Sequence, residues 1–210
     1  MIVCFGDSLT AGFQSPTPEH PGGLETPYGR FLQDWLGSSV EIRVSGICGE
    51  LTGEMAMRFR HDVLQHRPSH VVMLGGTNDL GWNARPADIM RNLVKMYELA
   101  RASHIMPIPV TVPSIRVDVA GGGPDAEAWI DQHLERRAEL NGLIQDYAVS
   151  KGLPWIDLFA ATAEPTTRQL AARYSNDGLH LSTAGYRLLA RLLFDRVFAE
   201  AFPAAGGMAP

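Results

Sequence analysis

Ser8, Asp177 and His180 put a hydroxyl, a carboxylate and an imidazole in one chain. A serine hydroxyl attacks a carbonyl only if a base removes its proton, and the base serves best when a carboxylate fixes its orientation. The oxygen that becomes negative needs hydrogen-bond donors around it. Gly49 and Asn78 are candidates for that role. Each residue alone has an ordinary alternative. Gly49 could merely turn the chain, Asn78 and Asp79 are common turn residues, and 177–180 could be a polar loop. Together they fill every role that acyl transfer requires.

The elements around them give the set its meaning. Ile2-Val3-Cys4-Phe5 is an apolar, β-rich run that meets Gly6-Asp7-Ser8, so Ser8 is expected just past the carboxyl end of a buried strand. Ligands of open α/β sheets bind at that end. A second strand is expected over 40–44, a third over 71–74, a fourth over 105–112 and a fifth over 153–158. Helices are expected from Thr26-Pro27 to Gly37, over 52–66, from Pro86, over 125–150 and, more weakly, over 166–173. A last helix should be capped by Ser182 or Thr183. Pro107 and Pro109 make the fourth strand unusual, because proline donates nothing to a ladder. Strands alternating with helices predict one α/β domain over 1–202, a three-layer sandwich around a five-stranded parallel sheet of order 2-1-3-4-5. The tail 203–210 reads as frayed. Two long Gly/Pro-rich loops, 12–26 and 113–124, leave the same side as Ser8 and are expected to wall the site.

Four blocks carry a resemblance: Gly6-Asp7-Ser8-Leu9, Gly49 in Ser45-Gly-Ile-Cys-Gly-Glu50, Gly75-Gly-Thr-Asn78-Asp79 and Asp177-Gly-Leu-His180. Their order resembles that of the SGNH hydrolases, the GDSL esterase/lipase superfamily. The resemblance implies a flavodoxin-like fold, no metal or organic cofactor, and hydrolysis of esters, thioesters or amides through an acyl-enzyme. It implies Ser8 as nucleophile, His180 as base and Asp177 as its orienter, with Ser8, Gly49 and Asn78 forming the oxyanion hole. Val44-Ser45-Gly46 departs from the Asn-x-Gly that many members carry there. The same machinery could serve a carbohydrate deacetylase, a lysophospholipase, a thioesterase or an acyltransferase. A non-catalytic ester- or glycan-binding module is the rival from another class.

Composition narrows the field. The 210 residues are 45% hydrophobic and 20% charged, with a net charge of −5, which suits a globular enzyme and argues against nucleic acid as partner. A small-molecule ester is the expected partner; oligomeric state is not readable. No apolar run is long enough to span a bilayer. With a strand beginning at residue 2, the chain reads as cytoplasmic as written, or exported if a signal was trimmed. Cys4 and Cys48 do not make a disulfide framework. His61, His66 and His70 approach metal-ligand spacing, but Pro68 breaks the helix between the last two, so no metal is expected. Phe13, Trp82, Ile115 and Val117 are candidates to line an acyl pocket, with packing as their ordinary alternative.

Overall fold

A computed structural model describes residues 1–117 and 124–202. The glycines 121–123 and the expected tail from Pro203 lie outside them. Strand β1 (Ile2–Gly6) is buried at every position. It pairs in parallel with β4 (Ile42–Gly46) on one side and β5 (His70–Leu74) on the other. Strand β6 (Met106–Pro109) joins β5, also in parallel. The sheet order is therefore β4-β1-β5-β6, with β1 central as the sequence predicts. Gly6 stands level with Gly46 and Leu74, so the three turns that follow these strands open at one edge. Strands β2 (Phe13–Gln14) and β3 (Leu24–Glu25) form a small antiparallel ribbon within the first long loop.

Helices flank the sheet in two groups. Helix α2 (Tyr28–Leu36) packs on α8 (Thr183–Leu193), while α5 (Pro86–Ala102) packs on α3 (Thr52–Asp62) and α6 (Pro124–Ser150). Their apolar stripes close over the sheet and form the main core, from Ile2 to Phe198. Burial of these side chains is the chief force holding the layers together.

Among the described residues the sheet has four strands, not five. The expected strand over 153–158 is a single parallel bridge between Val110 and Ile156. Alternate residues of a parallel strand donate to alternate neighbours. Met106 and Val110 donate toward β5, to Ser69 and Met73. Pro107 and Pro109 occupy positions facing the other way, where a donor is missing. Thr111 N–H to Ile156 O and Ile156 N–H to Pro109 O are what remains. Asp157 then caps helix α7 (Leu158–Thr162) by accepting from Ala160 N–H at 3.0 Å, so the chain turns away at once.

Three further expectations shift. Thr26 does not cap α2; Pro27 stands at the cap with no side-chain bond. Thr26 instead accepts from Gln14 Nε2 at 2.7 Å and gives its N–H to Gly12, closing the ribbon. The stretch 166–173 is not a helix: Ala163 and Leu170 form an antiparallel bridge, followed by a 3-10 turn at Ala172–Tyr174. The helix expected over 52–66 stops at Asp62 and continues as a 3-10 turn, Leu64–His66. Among the described residues no helix is long and apolar enough to cross a membrane.

Candidate active site

Ser8 opens helix α1 (Ser8–Ala11), directly after β1. Asp7 caps that helix, its Oδ1 accepting from Leu9 N–H at 2.9 Å. The cap fixes the turn and leaves Ser8, 5% exposed, facing the sheet edge. Burial pushes the Asp7 carboxyl up to about 7, against the Leu9 bond and the field of His180, which lower it.

The loop before α8 brings the other two residues. His180 Nε2 stands 3.2 Å from Ser8 Oγ, and His180 Nδ1 stands 2.7 Å from Asp177 Oδ2. The Asp177 carboxylate also accepts from the N–H groups of Leu179 and His180, at 2.9 and 2.8 Å, and from Ser15 Oγ. Partial burial raises its proton affinity, but the bonds from His180, Ser15 and the two backbone groups outweigh it and hold the carboxyl well below the usual range. An ionised Asp177 can only accept, so Nδ1 carries the hydrogen and Nε2 offers its lone pair to Ser8. Gly178 makes this loop possible. Its φ is +81°, and a Cβ there would lie 2.1 Å from Arg116 O.

Asn78 lies in α4 (Thr77–Gly81), after β5, and its Nδ2 donates to Glu50 O at 2.9 Å. Gly49, one residue earlier on the turn after β4, has φ +79° with open space around it. Backbone conformation, not crowding, selects glycine there. Asp79 ties this turn to α3, accepting from Thr52 N–H and, at 2.7 Å, from Thr52 Oγ1. Behind the turns, Arg58 binds both Glu50 oxygens, Asp62, Ser45 Oγ and the Gly6 carbonyl. The carboxyl ends of β1 and β4 are thus held by one guanidinium.

Of the expected pocket residues, Phe13 sets its ring edge-on to His180, 4.7 Å between centroids. Trp82 and Ile115 line a cavity of about 230 Å³ beside Asn78. Trp82 is 79% exposed and forms its rim, while Ile115 is buried in its wall. Val117 packs against a small cluster of Ile115, Ile130 and Leu134 and does not line that cavity. Trp129, His133 and Arg137 also line it, and sequence reasoning passed over all three. Their i, i+4, i+8 spacing on α6 was the available signal, since it places them on one helix face. Ser15 was passed over too, in a loop with no periodicity. Among the described residues no group of three or more His, Cys, Asp and Glu could hold a metal ion. Cys4 is buried and Cys48 exposed, both free.

Residues 4–188 match the GDSL-like Lipase/Acylhydrolase family. An arylesterase of Vibrio mimicus is 31% identical over 117 residues, 53% of this chain and 55% of that protein. The chain spans about half the length of the curated relatives it matches. Among solved structures, a GDSL-like lipase from Bacteroides thetaiotaomicron superposes with a TM-score of 0.74 at 24% identity, over 95% of this chain and 88% of that one. Est24, a carbohydrate acetylesterase from Sinorhizobium meliloti, gives 0.73 at 20% identity, over 95% and 98%. Both likenesses concern the fold.

Proposed function

The chain belongs to the GDSL-like lipase/acylhydrolase family, and from that premise we propose that it is a serine esterase cleaving carboxylic esters of short to medium acyl chains. The observation that carries the proposal is the continuous run Asp177–His180–Ser8, at 2.7 and 3.2 Å. Ser8 Oγ attacks the acyl carbonyl as His180 Nε2 takes its proton. Asp177 holds the ring in position and stabilises the imidazolium. The oxyanion is met by the N–H groups of Ser8 and Gly49 and by Asn78 Nδ2. Asn78 has two amide hydrogens; one is committed to Glu50 O, which aims the other. His180 then protonates the leaving alcohol, the acyl group stays on Ser8, and water reverses the sequence through the same base.

The test is the initial rate on p-nitrophenyl esters from acetyl to long acyl, wild type beside Ser8→Ala. Turnover on short to medium chains that falls by roughly 10³-fold or more in the variant is expected. Turnover independent of Ser8, or none on any ester, would overturn the proposal.

A further inference from the structure

Among the described residues, Arg137, which lines the cavity beside Asn78, has no ion-pair partner, and Asp7 reaches it only through its field. Arg137 on α6 is 2% exposed. Among the described residues its one hydrogen bond runs from Nη1 to Pro113 O, 3.0 Å, and its Nε is buried with no acceptor. No carboxylate among the described residues pairs with it. Thr77, next to Asn78 and 5% exposed, likewise buries its hydroxyl without a partner among the described residues. Arg137 and Thr77 line the same cavity. Buried polar groups are normally satisfied, and a buried cation left alone is costly. An unpaired guanidinium and an unpaired hydroxyl on two residues that line one cavity fit an acceptor with negative charge.

The charge count narrows its chemistry. Burial lowers the Arg137 pKa to about 10, with Asp7 acting in the opposite sense, so the guanidinium stays charged at neutral pH. His133, also on the wall, gives its Nδ1 hydrogen to Trp129 O at 3.0 Å, and burial holds its proton affinity down. One cation fits a monoanion. A guanidinium and a hydroxyl fit the planar oxygens of a carboxylate. The volume, about 230 Å³, lies below the roughly 300–1,000 Å³ of sites for drug-sized ligands, so the arm that enters is short. Trp82 and the half-exposed Trp129 stand at the mouth with apolar faces for its carbon chain.

We infer that this cavity is the subsite for a carboxylate carried by the ester, seated on Arg137 and Thr77 while the carbonyl lies at Ser8. The inference rests on the serine-esterase reading above. The carboxylate can belong to the acyl chain or to the alcohol, and the test separates the two.

The experiment compares kcat/KM for two matched pairs. Mono-p-nitrophenyl glutarate against p-nitrophenyl pentanoate places the charge on the acyl side. 4-Acetoxybenzoate against phenyl acetate places it on the alcohol side. In one pair the charged-to-neutral ratio should fall at least tenfold in Arg137→Met and recover in part in Arg137→Lys; that pair identifies the source. Ratios constant within twofold in both pairs would overturn the inference. If Arg137→Met does not fold by circular dichroism, Thr77→Val decides, with an expected fall of at least threefold against none. If no ester is turned over, the esterase reading fails separately. Calorimetric binding of glutarate and benzoate to wild type and Arg137→Met then decides this site: tenfold weaker binding of one of them in the variant supports it, and equal or absent binding of both overturns it.

Discussion

Ser15 Oγ donates to the same Asp177 oxygen that faces His180 Nδ1. The first long loop is thereby tied to the carboxylate that would orient the base. The loop has a second tie, since Tyr186 Oη on α8 donates to Phe13 O at 2.7 Å. A segment rich in proline and glycine is thus fastened to the site it walls, from both ends of the β2–β3 ribbon.

Removing that hydroxyl should be felt in turnover. Ser15→Ala leaves Asp177 its bonds from His180 and two backbone N–H groups, so the carboxylate stays ionised but less firmly aimed. A hydrogen bond to a charged group contributes about 1.5 kcal/mol at the low end, and kcat/KM on a p-nitrophenyl ester should fall by up to roughly tenfold. Steady-state kinetics at pH 8 will show this; an unchanged rate would mean that the loop does not position the base.

Asn78→Ala should lower kcat by roughly 10²–10³-fold with little change in KM, as for loss of one oxyanion donor. The same substitution frees the Glu50 carbonyl. Asn78→Asp keeps the shape and loses the donor, so equal losses in the two variants would assign the effect to the hydrogen bond. A rise in KM with kcat unchanged would assign Asn78 to ground-state binding instead.

Asp7 makes a prediction about stability and pH. Its carboxyl is raised from 3.8 to about 7 by burial, so the unfolded chain ionises first as pH rises. Between those values the folded state holds the extra proton, and stability declines with rising pH. Asp7→Asn keeps an oxygen for the Leu9 cap and removes the titration. Relative to wild type, the variant should gain up to about 4 kcal/mol between pH 4 and pH 7. Urea unfolding at both pH values measures this, and a difference that does not change with pH would show that Asp7 is ionised in the fold.

Arg58→Met should destabilise the fold by about 3 kcal/mol, because Glu50, 7% exposed, would be left without its counter-charge. Arg58→Met with Glu50→Gln should recover part of that loss. Chemical denaturation of the single and double variants measures it; a single variant as stable as wild type would remove Arg58 from the framework behind the turns.

The proximity of Ser8, Asp177, His180 and Asn78, the residues proposed for catalysis, could be expected from sequence because their chemistry is carried by residue type and their position by the apolar runs preceding them. The sheet order was legible for the same reason: β1 and β5 are short, apolar and flanked by helical periodicity. What was not legible depends on partners distant in sequence. Nothing local to 153–158 says that its neighbour strand lacks donors at Pro107 and Pro109. Thr26 has the local look of a cap, yet Gln14 claims its hydroxyl. Arg137 sits in an ordinary helical pattern, and only the packing of α6 over β6 and α4 reveals that it is buried with no ion-pair partner among the described residues.

The two prolines of β6 also govern what the molecule can do in company. An exposed strand edge ordinarily invites the strand of another molecule, by offering alternating donors and acceptors. Beyond β6 the Pro109 carbonyl already accepts from Ile156 N–H, and neither proline has a hydrogen to offer an incoming strand. Proline to a β-branched residue at either position would supply the missing hydrogen, for the 153–158 segment or for the strand of another molecule to use. The prolines that curtail the sheet at four strands thus withhold a full ladder from any other chain as well.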